Sequence, residues 1–118
     1  MSQNFQAGDY LIFQVESGYG LLRLLEIEEV EAEKVWHLAA YNEFFLDVEF
    51  ADLALENSAS LTVNIPHVAL TNRAFEATQT ARMVNISLTE NELKALNDWK
   101  NNASEVSDRS IRLLLGLR

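Results

Sequence analysis

The chain has no cysteine, which excludes a disulfide framework and a thiolate zinc site. Its 118 residues, 48% of them hydrophobic, must therefore bury a core by packing alone. The same absence is compatible with a reducing cytosol. Proline occurs once, at Pro66. Because it cannot donate to a β-ladder, it marks an edge or bend at the end of its strand. Long apolar runs are also missing. The run at 21–25 is short and interrupted by Arg23, and MSQNFQAGDY has no basic segment followed by an apolar one. Neither a signal peptide nor a membrane span is expected, and no repeat or linker divides the sequence, so residues 1–118 read as one soluble, cytoplasmic domain.

Positive charge is nearly absent from one stretch. Residues 26–56 hold ten acids against Lys34 alone, a local net charge of −9 that equals the charge of the whole chain. The remaining residues balance, so the acidity belongs to one segment. Such a surface repels nucleic acid and anionic membranes and steers basic partners toward it. The plainer reading is a solvated acidic face that keeps the protein in solution. Nucleic-acid binding also lacks a basic patch. Arg109, Arg112 and Arg118 in the tail are better suited to pair with the acidic segment or with a neighbouring subunit, which leaves a homo-oligomer open.

Alternation of period two predicts strands at 9–15 and 19–29, the second changing phase near Leu24 in the manner of a β-bulge. Residues 35–41 read as a third strand, apolar on both faces, and 61–65 as a fourth ending at Pro66. A fifth is expected at 80–86. Val48, Ala51, Leu55 and nearby Phe50 fall at helical spacing over 48–56, opposite Glu49, Asp52 and Glu56. Thr71 caps a helical turn through Phe75. Thr89 and Glu92 have capping-box spacing, flanked by Leu88 and Leu93 as a hydrophobic staple, and predict a helix over 90–101 that buries Leu93, Leu96 and Trp99. The alternation of Ile111, Leu113, Leu115 and Leu117 predicts a closing strand, with helix as the alternative.

Catalytic motifs are missing as well. Gly18-Tyr19-Gly20 has no third glycine and leads into a strand instead of a helix, so it is no dinucleotide loop. It reads as a hairpin turn, with Gly18 supplying a positive φ and Gly20 a bulge or close backbone approach. There is no G-x-S-x-G elbow, and the only histidines are His37 and His67. These two are able to meet Glu43 or Asp47 around a metal, but a lone strand histidine is usually structural, and no metal or cofactor is expected. Asp47, Glu49 and Asp52 lack the glycine and ligand spacing of a calcium loop and read as a helix start with a wet face.

Gly8-Asp9, the alternating strand after it, Gly18-Tyr19-Gly20 and the following strand with Arg23 together resemble the start of the immunity protein 26 family of bacterial toxin-antidote systems. Residues 81–89, ARMVNISLT, resemble that family's late strand leading into a short helix. The two pieces cover under half of the chain, and they carry over no toxin-binding residue. The resemblance implies a small SH3-like protein. The expected fold is thus α+β, a strongly bent antiparallel SH3-like sheet with two or three helices packed on it. The expected function is a non-enzymatic acidic binding protein that neutralises a basic toxin or nuclease through Glu26, Glu28, Glu29, Glu31, Glu33, Glu49, Asp52 and Glu56. A small-molecule-binding or regulatory domain is the alternative, its cleft lined by Tyr10, Tyr19, Trp36, His37, Tyr41 and Glu43, with Phe44 and Phe45 adding to the aromatic wall. A third reading is an enzyme built around His37 and Glu43.

Overall fold

Alternating apolar residues build a meander in the computed structural model, which describes residues 4–102 and 105–116. Strands β1 (Asp9–Val15), β2 (Gly18–Val30) and β3 (Glu33–Phe45) follow one another, β4 (Val63–Thr71) forms one edge, and β5 (Ala81–Asn85) returns beside β1. The result is a five-stranded antiparallel sheet in the order β4-β3-β2-β1-β5. Helices α1 (Val48–Leu55), α2 (Asn72–Thr78), α3 (Glu90–Asn101) and α4 (Ile111–Leu114) complete an α+β fold, with a 3-10 turn at Ser58–Ser60.

Strands with apolar residues on both faces need cover on both faces. On one face Leu11, Phe13, Leu22, Leu24, Trp36 and Leu38 pack under α2 and α4. There the Trp36 and Phe75 rings stack at 3.8 Å, and Phe5 meets both edge-on. On the other face α1 covers Tyr10, Ile12, Leu21 and Tyr41, while Leu96 of α3 covers Leu25 and Ala39. Each fully buried leucine contributes roughly 1.5–3 kcal/mol.

The register of β2 against β3 shifts between Gly20 and Leu22 and again between Leu24 and Glu26, where the phase change in the sequence places a bulge. Pro66 does not end its strand. It sits inside β4, at a register shift on an edge strand where no ladder donor is required, and the strand continues to Thr71. The tail forms α4 instead of a strand. Ser110 caps it by accepting from the Leu113 amide, and Ile111 is fully buried against the sheet. Leu117, the last member of the expected alternation, lies outside the described residues.

Gly18 does not have a positive φ. Glu16 and Ser17 make the two-residue turn, and Gly18 is required because a Cβ there would overlap the Phe45 carbonyl oxygen on β3. Gly20 is a close approach, as expected, with its missing Cβ replaced by the Phe13 ring. Left-handed strain falls on the next hairpin, where Glu31 (φ 52°) and Ala32 (φ 68°) turn β2 into β3. Two-residue hairpins of this kind normally use Asn-Gly. Ala32→Gly should raise stability in urea melts by about 0.5–1 kcal/mol, the relief of left-handed strain less the entropy glycine adds to the unfolded chain.

Helix α3 starts where the capping box places it. The Thr89 hydroxyl accepts from the Glu92 amide and the Glu92 carboxylate accepts from the Thr89 amide. Thr89→Ala should lower stability by about 1 kcal/mol, and an unchanged denaturant midpoint would refute the cap.

Candidate functional site

The acidic residues do not form one surface. Glu29, Glu31 and Glu33 are exposed at the β2–β3 turn, whereas Glu49, Asp52 and Glu56 are exposed on α1. Helix α1 packs beside Leu21 and the turn lies beyond Val30, which separates the two groups by about 30 Å along β2 at the usual strand rise. Glu26 belongs to neither group, and Glu28 only borders the hairpin acids. Both turn toward the face covered by α3, where Glu26 accepts from Lys100 Nζ at 2.8 Å and Glu28 Oε1 lies 3.0 Å from His37 Nε2. Beside the turn, a groove of about 890 Å³ is lined by Glu28, Glu31, Glu33 and Glu76 and by the Arg73–Asp108 ion pair.

The aromatic cleft does not form either. Trp36 points to the opposite face of the sheet from Tyr10 and Tyr41, because adjacent strand residues alternate sides. Its Nε1 donates to Asn72 Oδ1 at 2.8 Å. Tyr10 and Tyr41 stack at 5.9 Å and are both buried, so they line no opening. Burial and then the hydrogen bond with Tyr10 hold the Tyr41 phenol well above its ordinary range. Tyr19 packs at the margin of that cluster. Glu43 accepts from the Thr62 amide and hydroxyl, and it lies about 20 Å along β3 from His37, too far for an enzyme to use both.

The two histidines do meet, but their acid is Glu28 and not Glu43 or Asp47. His37 Nδ1 lies 2.9 Å from His67 Nε2 and Trp99 covers both rings. Burial, then the neighbouring His37, push His67 down to about 4, so it is neutral at pH 7. Asp47 is the N-cap of α1, accepting from the Phe50 amide at 3.0 Å. In the tail, Arg112 donates to the carbonyls of Gln14, Ala77 and Thr78 and pairs with no acid among the described residues. Arg118 lies outside the described residues.

Around α1 the structure departs most from the amphipathic pattern. Ala51 and Leu55 are buried as expected, but Val48 and Phe50 face outward. Phe44, Leu46, Val48, Phe50 and Leu53 are exposed within residues 44–53, Leu46 by 79% and Leu53 by 60%. The same stretch carries Asp47, Glu49 and Asp52, with Glu56 just beyond it at the end of α1, and 44–56 has no basic residue. Beside it a cavity of about 450 Å³ is lined by Val15, Gly18, Phe44, Phe45 and Leu46. The signal was present in the sequence, since VEFADLAL holds more large apolar residues than one face of a two-turn helix buries.

Arg23 is the other residue whose role the sequence concealed. It is 2% exposed, and it donates from Nε to Glu92 Oε2 at 2.9 Å and to the carbonyls of Gly8 and Ser87. Its guanidinium also lies 4.2 Å from the centre of the Tyr10 ring. It fastens α3 to the sheet between the two apolar clusters of that face.

Among the described residues no helix is long and apolar enough to cross a membrane. No family model, curated protein or solved structure matches the chain.

Proposed function

We propose that this chain is a non-enzymatic binding protein whose working surface is the strip around α1, and that its partner is a basic protein of the kind a bacterial immunity protein neutralises in the cytoplasm. The observation that carries this reading is a run of five exposed large apolar residues, Phe44, Leu46, Val48, Phe50 and Leu53, interspersed with Asp47, Glu49 and Asp52 and with no base among them. Contiguous exposed apolar surface is uncommon on monomers, and an apolar centre with a charged rim is the anatomy of a protein interface. The rim selects a cationic partner and speeds its approach, while the apolar centre and the adjoining cavity take an anchoring side chain. The meander with β5 returned beside β1 supports reading the sheet as SH3-like, in keeping with the resemblance to the immunity protein 26 family.

The test begins with recovery of the partner from the native host, followed by rates measured with the purified pair at two salt concentrations. Glu49→Lys with Asp52→Lys should slow association about tenfold or more at low salt, with the loss shrinking as the screening length falls to about 10 Å at 0.1 M. Phe50→Ala with Leu53→Ala should chiefly speed dissociation. The Glu29→Lys, Glu31→Lys pair, on the remote hairpin, should leave both rates nearly unchanged. Equal on-rates for wild type and the α1 charge reversal would refute steering by this strip. An apolar small molecule in the Phe44–Phe45 cavity, with no protein bound, would favour the small-molecule reading instead.

A further inference from the structure

We propose that Glu26, Glu28 and His37 form a site for one divalent transition-metal ion of the zinc class, on the sheet face covered by α3. A carboxylate oxygen from each glutamate and a ring nitrogen of His37 lie within 4.8 Å of one another. That separation lets a single ion at about 2.0–2.2 Å from each ligand be reached by small side-chain movements.

The backbone prepares this grouping. Leu24 pairs with Leu38 and Glu26 with His37, so Leu25 is the extra residue of a bulge. Leu25 packs with Ala39 and Leu96, on the same face as the neighbouring Glu26, whereas Ile27 packs on the opposite core. Without the bulge, strict alternation would turn Glu26 and Glu28 away from His37. An irregularity that brings two carboxylates to a buried imidazole is costly for a β-ladder and is typical of functional positions.

His37 has the setting of a metal ligand. Its side chain is fully buried, with Nε2 facing Glu28, while Nδ1 is held by His67 and Trp99 lies edge-on at 4.9 Å. Ligating histidines are usually oriented in this way, by a hydrogen bond from the second ring nitrogen. Glu26 and Glu28 are about one-third exposed, which gives an ion a route from solvent. Three protein ligands leave a fourth position for water. The imidazole favours zinc over magnesium, which prefers an all-oxygen octahedron. Lys100 Nζ, 2.8 Å from Glu26, is the competing cation that must swing away when the ion binds.

Titration calorimetry on untagged, chelator-treated full-length chain tests the proposal with zinc and magnesium chlorides separately. Wild type should bind one zinc ion with a Kd in the micromolar range or below, and magnesium at least about 100-fold more weakly. Glu26→Gln with Glu28→Gln keeps the shapes and should lose about 100-fold or more in zinc affinity. Lys100→Met removes the competitor and should bind zinc more tightly than wild type; unlike the carboxylate variant, it leaves every proposed ligand in place. The proposal is overturned if wild type and Lys100→Met both fail to bind zinc below about 1 mM, leaving only an internal hydrogen-bonded cluster. Equal zinc affinity in wild type and a folded Glu26→Gln, Glu28→Gln variant would overturn it as well.

Discussion

Arg23→Ala should destabilise the protein by about 3–5 kcal/mol, the usual consequence of removing one partner from a buried ion pair. The substitution leaves the Gly8 and Ser87 carbonyls without their guanidinium donor and strips Glu92 of its two-point contact. It also removes the stem that fills the space between the Tyr10 and Leu25 clusters, so Arg23→Met, which restores most of that volume, separates packing from charge. Urea melts at pH 7 supply the measurement, and a loss below about 1 kcal/mol would show that the network adds little. The acid limb gives a second reading. Burial raises the Glu92 carboxyl, but hydrogen bonds from Arg23 and Thr89 outweigh it and hold the group below its ordinary value of 4.5. A folded-state value below the unfolded one contributes stability that is present above pH 4.5 and is lost as pH falls through the folded value. In Arg23→Ala that acid-side decline should be smaller.

Gly18→Ala should cost about 3 kcal/mol, toward the upper end of the overpacking range. The obstacle is the Phe45 carbonyl oxygen, part of the backbone of β3, and it cannot rotate away. At Gly20 the corresponding obstacle is the Phe13 ring, 2.7 Å from the site of a Cβ, and Gly20→Ala should cost less because a side chain yields more readily than a strand. Comparison with Gly18→Asn separates space from backbone conformation. Asparagine tolerates left-handed φ and would rescue a position that required it, but it brings the same Cβ. Thermal melts should therefore rank Gly18→Asn no better than Gly18→Ala; a clear advantage for asparagine would restore a conformational role for Gly18.

What the sequence determined alone is what short-range chemistry controls. The start of α3 was legible because Thr89 and Glu92 satisfy each other's amides across one helical turn, and no distant residue is needed. Alternation revealed the first hairpin, the phase slip near Leu24 revealed the bulge, and the acids of 26–56 gave the sign of the field. The tertiary structure decided which side chains meet. Glu28 and not Glu43 reaches His37, Arg23 is buried between helix and sheet, and the acids divide among the hairpin, α1 and the sheet face under α3. Helix won over strand at 111–114 because Ser110 caps the turn and Ile111 finds the core under it. The meeting of Glu28 with His37 and the burial of Arg23 depend on strand register. A shift of one residue turns a side chain to the other face of the sheet, and beside the two register shifts of β2 against β3 pack α1, which directly follows β3, and α3, which lies far away in the chain.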